Sequence, residues 1–420
     1  MKIIPLGGGG EVGRSAILVI SKEGNVLFDY GVKLQGLEKP IYPHNPFSVV
    51  DKIDLILISH GHLDHVGYLP SLYKENLKTP WYATPATFDI ADILWKDSIK
   101  LAKIKGIEDH FTNKNVEKAK LQWHPALLRS YMRHGMFKFA FYDAGHILGS
   151  ASIAIYLEGK RVVYTGDLGY RSLLHDPFEN FGKCDVLIIE GTYATVDHPS
   201  IEESKKMLLE KVKETLDNKG NVLLPAFAVG RSQELIKVLF DYNKQLPIYL
   251  DGMSKDVTRV YLKYPSYIKD FETFSSYCDK VYFVETIKDR KKALKEPSII
   301  ITTAGMMDGG PALHYALSLN EKSSIILTGF QIPGSNGYKL LNEGKIIIDS
   351  QEIRINTPTY YIDMSAHIGK TQIIKAIEMA NPEKVFFCHS EKDKANELIN
   401  ELKDKGVKAY CLENLKEVEI

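Results

Sequence analysis

Cysteine is scarce in this chain. Cys184, Cys278, Cys388 and Cys411 are scattered without a CxxC pair, which speaks against a disulfide framework or a thiolate zinc knuckle and fits a reducing cytoplasm. Long apolar runs are missing as well. Nothing approaches membrane-spanning length, and Met1-Lys2-Ile3-Ile4-Pro5-Leu6 runs straight into glycines without a signal-peptide stretch, so a soluble, unexported protein is expected. Charge excess is also lacking, because 53 Lys+Arg balance 53 Asp+Glu. A neutral total withholds any global basic signature for nucleic acid, while leaving room for a local basic cleft. No internal repeat, low-complexity tract or proline-rich linker interrupts the chain.

What is present describes a globular α/β protein. At 420 residues, 44% hydrophobic and 25% charged, the chain exceeds one ordinary core. Short apolar runs at 16–20, 26–28, 53–58, 138–142, 153–156, 162–164 and 186–189 read as strands. Hairpin turns are expected at Glu23-Gly24-Asn25 and Glu158-Gly159-Lys160. Helical periodicity at 87–103 and 116–122 separates the first strands from the next set. After Glu190 helices and strands alternate, as at 200–217, 221–225, 231–241 and 247–250, which implies a parallel sheet in a second unit. Near Thr357 the chain returns to segments with polar ends, so the second unit reads as an insertion into the first.

The chemistry concentrates in His60-Gly61-His62-Leu63-Asp64-His65, four metal-ligand side chains in six residues directly after an apolar run. A lone histidine after a strand is usually structural, but several buried imidazoles and a carboxylate together are costly to desolvate without a cation. Imidazole with carboxylate suits zinc, manganese or iron better than the hard cations. An extended chain here throws 60, 62 and 64 to one side and His65 to the other, feeding two neighbouring ions. His146, Asp167, Glu190, His367 and His389 each sit just past a further apolar run, and strand ends are where active sites of open α/β architectures gather. The other histidines, His44, His110, His124, His134, His175, His198 and His314, lack such company and are expected to be structural. Gly8-Gly9-Gly10-Glu11-Val12-Gly13 satisfies the dinucleotide pattern, but the β-rich run after it, in place of a helix, argues against that reading.

HGHLDH, DAGHILGS, YTGDLG and IIEGTY resemble successive signatures of the metallo-β-lactamase superfamily in its β-CASP nuclease branch. The segments 225–234, 249–253 and 304–311 resemble that branch's cap domain. The likeness covers nearly the whole chain, and is strongest to archaeal homologues of the cleavage and polyadenylation specificity factor endonuclease subunit, in the short form without a KH domain. It implies an αββα sandwich with an inserted β-CASP α/β cap: residues 1–192 as the first part of the core, 193–354 as the cap, and 355–420 as the carboxyl-terminal part of the core. It further implies two zinc ions per chain, with His60, His62 and His146 on one, Asp64, His65 and His389 on the other, and Asp167 bridging. Asp29 would orient the ligand loop without binding metal. His367, held by Glu190, is the expected general acid, and Asp64 an acceptor for the nucleophile's proton. His389 at this position resembles the RNA-processing members. Ser365 and the loop glycines Gly305 and Gly329 are candidate phosphate contacts.

The expected activity is hydrolysis of phosphodiester bonds in single-stranded RNA, probed internally by preference, in RNA processing or decay. A 5′-to-3′ exoribonuclease of the same fold, an ester or thioester hydrolase, and an inert scaffold subunit binding RNA or a sister nuclease remain as alternatives. The resemblance also implies a homodimer, or association with related β-CASP nucleases, and no membrane partner.

Overall fold

The computed structural model describes residues 1–74, 77–107 and 111–420; His110 lies outside them. Two seven-stranded sheets and one six-stranded sheet organise the chain. The first sheet runs Val418–Glu419, Lys2–Gly7, Ala16–Ser21, Gly24–Phe28, Leu55–Leu57, Trp81–Ala83, Trp123–Pro125. The second runs Ala409–Cys411, Lys384–Cys388, Val186–Glu190, Lys160–Tyr164, Ala151–Leu157, Phe137–Asp143, Tyr131–His134. The carboxyl-terminal part of the chain thus supplies an edge strand to each of the two sheets that its first half began.

The strands are apolar on both faces because both faces are covered. Ile17 and Val19 point into a core shared with Phe139, Phe141, Ile153 and Val162 of the facing sheet. Their neighbours Ala16 and Leu18 point outward onto Ala91, Trp95 and Ile99 of helix Pro85–Lys105. That helix starts where Thr84 caps the Thr87 amide with Pro85 in the first turn, and stops at Gly106 in the left-handed region. The outer face of the second sheet packs on helices Lys370–Ala380 and Lys392–Asp404 through Ile373, Ile377, Leu398 and Leu402. Helix, sheet, sheet, helix is the expected sandwich. Both hairpins form, and Glu158 and Gly159, at φ 50° and 77°, make the tight turn between Leu157 and Lys160.

The third sheet is parallel throughout, in the order Tyr282–Phe283, Ile248–Asp251, Ile299–Thr302, Val222–Pro225, Ser324–Leu327, Thr359–Tyr361. Helix Ile201–Asp217, begun by a capping box between Ser200 and Glu203, leads into it. One departure from expectation concerns its end. Strand Thr359–Tyr361 was assigned to the returning core, yet it pairs with Ser324–Leu327 as the last strand of the cap sheet. An apolar run looks alike in either sheet; only the partner backbone decides. The chain rejoins the core after it, through a bridge from Gly169 to His367 and another from Tyr193 to Gly369. Among the described residues no helix is long and apolar enough to cross a membrane.

Candidate metal centre and active site

Strands of both core sheets end at one rim, and the polar residues that follow them converge there. Asp29 follows Gly24–Phe28, His60 follows Leu55–Leu57, His146 follows Phe137–Asp143, and Asp167 follows Lys160–Tyr164. Glu190 is the last residue of its strand and His389 the first beyond Lys384–Cys388. His60, His65, His146, Asp167, Glu190 and His389 are each at most 3% exposed.

The ligand loop is not extended throughout. His62 keeps extended backbone, but Leu63–Val66 forms one helical turn with His62 as its N-cap. Asp64 therefore falls in with His65, and the expected alternation holds only for His60 and His62. A turn this short cannot satisfy its own carbonyls. Neighbouring chain does so: the amides of Val32, Ser15 and Tyr30 donate to Leu63, Asp64 and His65 oxygens at 3.0, 2.7 and 2.7 Å. The Trp95 indole donates to Val66 O at 2.9 Å.

Two donor sets result. His60, His62, His146 and Asp167 offer ligand atoms within 4.8 Å of one another, and so do Asp64, His65 and His389. In the first set His62 Nδ1 lies 3.2 Å from His60 Nε2 and 3.1 Å from His146 Nε2. Asp167 Oδ2 lies 3.5 and 3.8 Å from those two nitrogens. A tetrahedral zinc shell with bonds near 2.0–2.1 Å spaces its ligand atoms roughly 3.3 Å apart. These edges fit it. Asp167 Oδ2 is also 3.2 Å from His65 Nε2, and His389 Nε2 is 3.1 Å from Asp64 Oδ2. Asp167 thus faces both sets. Thr192 Oγ1, 3.1 Å from His389 Nδ1, leaves the other ring nitrogen toward Asp64.

The electrostatics repeat this demand for positive charge. Burial, reinforced by neighbouring imidazoles, holds His60 and His146 well below the usual histidine range. Burial lowers His62 to about 4. Neutral imidazole is the metal-binding form. Burial opposes the charges on Asp64 and Asp167, but the surrounding histidines outweigh it and keep both carboxyls below their usual range. His146 Nδ1 and Asp167 Oδ1 are buried without a hydrogen bond among the described residues. The donor set suits a metal ion.

Asp29 supports this loop from beneath. Its carboxylate accepts Ser59 N at Oδ1 and Ser59 Oγ and Tyr164 OH at Oδ2, each at 2.7 Å. The same Oδ2 lies 2.7 Å from His65 Nδ1. Ser59 and Tyr164 carried no sequence signal beyond adjacency to His60 and Asp167. On the open side His367 Nδ1 lies 3.0 Å from Glu190 Oε2, and Glu190 Oε1 accepts Leu168 N at 2.7 Å. Burial opposes charge on His367, but Glu190 and Asp167 raise it to about 9. Its side chain is 21% exposed, so the ring reaches the cleft.

The phosphate candidates differ among themselves. Ser365 lies in the His367 loop, its Oγ accepting His367 N at 3.3 Å. A Cβ on Gly305 would fall 2.8 Å from Phe227 N, and one on Gly329 2.7 Å from the Phe227 ring. Close packing against Phe227 by itself accounts for glycine at both positions. The glycine run at 8–13 lies between antiparallel strands, as expected, and Gly8 O accepts His389 N at 2.7 Å.

A buried imidazole–carboxylate cluster at the strand ends of an αββα sandwich defines a metallo-hydrolase of the lactamase type. The Beta-lactamase superfamily domain matches residues 24–221, the Beta-Casp domain 232–340, and the Zn-dependent metallo-hydrolase RNA specificity domain 352–412. The chain belongs to the metallo-β-lactamase superfamily, in its β-CASP branch. It is 36% identical over 412 residues to "Probable RNase MJ4" of Methanocaldococcus jannaschii, covering 95% of each chain. It is 33% identical to "RNase aCSPSF2" of Saccharolobus solfataricus, over 99% of this chain and 84% of that one. With "Transcription termination factor FttA" of M. jannaschii it shares 34% identity, over 93% and 67%. A crystal structure of a protein of unknown function from Enterococcus faecalis V583 has the same fold, with a TM-score of 0.63, 14% identity, and 100% and 99% of the two chains covered.

Proposed function

We propose that the protein is a two-zinc ribonuclease that cuts single-stranded RNA internally, in RNA processing or decay. One observation carries this reading: two donor sets, His60/His62/His146 and Asp64/His65/His389, share Asp167 and stand beside the Glu190–His367 pair. Relatives named as RNases and a match to an RNA specificity domain support RNA as the substrate. Zinc, when bound, supplies Lewis acidity for an in-line phosphoryl displacement and lowers the pKa of the attacking water.

The chain's own groups manage protons and position. His367, protonated below about pH 9 and partly exposed, donates to the departing 3′-oxygen. Glu190 keeps the ring oriented through Nδ1, leaving Nε2 for that transfer. Asp64, 32% exposed at its side chain, is placed to take the proton of the attacking water. Ser365 is a candidate phosphate contact. The domain assignment we favour keeps 1–192 and the region after Tyr361 as core, with 193–361 as cap, on the pairing of the third sheet. The reduced cysteines support a cytoplasmic setting.

The test uses purified His65→Ala and Asp167→Ala, elemental analysis, and a long RNA labelled at its 5′ end. Wild type is expected to carry near two zinc per chain and to release internal fragments, and both variants to lose cleavage. Full activity in either variant overturns the ligand assignment. Immediate release of labelled mononucleotide overturns internal cutting in favour of the exonuclease.

A further inference from the structure

Arg231 is an expensive residue where it stands. It opens helix Arg231–Tyr242, is 9% exposed, and has no carboxylate within ion-pair distance among the described residues. Its Nε is buried without a hydrogen-bond partner there. A guanidinium without an ion-pair partner and with its Nε buried and unpartnered is a costly arrangement, which a fold tolerates when an anion visits. Glu234, one turn along the same helix, is committed elsewhere: its carboxylate takes Ser172 Oγ and the amides of Leu173 and Leu174.

The location matters as much as the cost. Gly230, immediately before Arg231, packs so tightly that a Cβ there would lie 2.8 Å from Ile147, the residue after His146. A second arginine stands in the same field: burial lowers Arg231's proton affinity, Glu234 and Asp363 raise it, Arg171 lowers it, and Tyr193 raises it. Arg171 Nη1 donates to Ser365 O at 3.4 Å, and its own Nε is likewise buried and unpartnered among the described residues. The Tyr193 ring centroid lies 6.1 Å from that of His367. The nearby carboxylate of Asp363 is occupied, 2.7 Å from His198 Nδ1 and 3.9 Å from Arg171 Nη1, and accepting Ser365 N at 2.8 Å. It makes no ion pair with Arg231 among the described residues.

We propose that Arg231, with Arg171 and the Tyr193 hydroxyl, forms a phosphate subsite beside His367 that holds a second phosphate of the substrate, adjacent to the one being cleaved. The Arg231 guanidinium can bind phosphate through charge-assisted, fork-like donation, and Arg171, whose Nη2 already donates to Ser204 Oγ at 3.1 Å, adds positive charge. The subsite rests on the phosphodiesterase reading of the neighbouring cluster, and its occupant is either an internal backbone phosphate or a terminal one.

The test measures UpU, pUpU and UpUpU as competitive inhibitors of bis(p-nitrophenyl) phosphate hydrolysis by zinc-loaded protein. In wild type a second phosphate is expected to lower the inhibition constant about 10- to 100-fold, the scale of a charged hydrogen bond. That gain disappears in Arg231→Gln and is reduced in Arg231→Lys, which keeps the charge and loses the fork. A gain from pUpU alone identifies a terminal phosphate, and a gain from UpUpU as well identifies the backbone. No gain in wild type, or the same gain in Arg231→Gln, overturns the subsite. Cleavage of long RNA by wild type, followed in parallel, reads the ribonuclease assignment separately, because the inhibition constants report the subsite whether or not RNA is cut.

Discussion

Replacing Asp29 by Asn is the sharpest perturbation of the centre that leaves its ligands in place. The residue is fully buried at φ 56°, a left-handed conformation that Asn tolerates as well as Asp, so the backbone adds no strain. Four donors converge on its carboxylate: Ser59 N on Oδ1, and Ser59 Oγ, Tyr164 OH and His65 Nδ1 around Oδ2. An amide can present one oxygen only. With that oxygen toward the three-donor side, its NH2 meets the Ser59 amide donor to donor; turned over, it meets three donors. The better choice loses one charge-assisted bond, worth about 1.5–3 kcal/mol, and weakens three others, for about 3–5 kcal/mol in all. Because His65 is one of the four, the loss reaches the metal centre. Outer partners of ligating histidines typically change affinity about 10- to 100-fold. Chelator competition on Asp29→Asn should find one of two zinc ions bound more weakly by that factor, with RNA cleavage restored as free zinc is raised. Two zinc ions held as tightly as in wild type, with unchanged unfolding, would refute the idea that Asp29 orients His65.

Two further outcomes concern protons. Burial opposes charge on His367 while Glu190 and Asp167 raise its pKa to about 9, so a general acid there works on the low side and loses its proton as pH rises. Glu190→Gln removes one of the raising groups; the alkaline limb of RNA cleavage should move to lower pH, and an unmoved limb argues against His367 as the acid. In the cap, burial lifts Asp308 to about 6, although Asn336 N donates to it at 2.7 Å. A carboxyl raised on folding is most stabilising while protonated, below its unfolded value, and loses that contribution as pH climbs to about 6. Asp308→Asn should therefore gain in melting temperature relative to wild type between about pH 4 and 6 and keep a constant advantage above; a pH-independent difference would contradict this.

Much of the site could be read from side-chain types placed just past apolar runs. His60, His146, Asp167, Glu190 and His389 each follow or end a β-strand, and strand ends are where open α/β architectures gather their sites. What failed was local geometry inside the densest motif. Four ligand residues in a row carry no period, and the helical turn at Leu63–Val66 is enforced by Val32, Ser15, Tyr30 and Trp95 reaching its carbonyls. Strand Thr359–Tyr361 failed for a related reason, since either sheet can accept a short apolar run. Arg231 was passed over inside a cap-like segment because its missing partner is visible only once every neighbour is in place.

The sequence by itself determined the layer pattern, the hairpin turns, and the supply of imidazole and carboxylate, because period and residue chemistry are local properties. The tertiary structure alone decided which donors meet, that Asp167 faces both sets, and that Asp29 rather than solvent holds His65. It also decided that Arg231 Nε is buried without a hydrogen-bond partner among the described residues. Those facts depend on distances between segments far apart in the chain, and no periodicity encodes a distance.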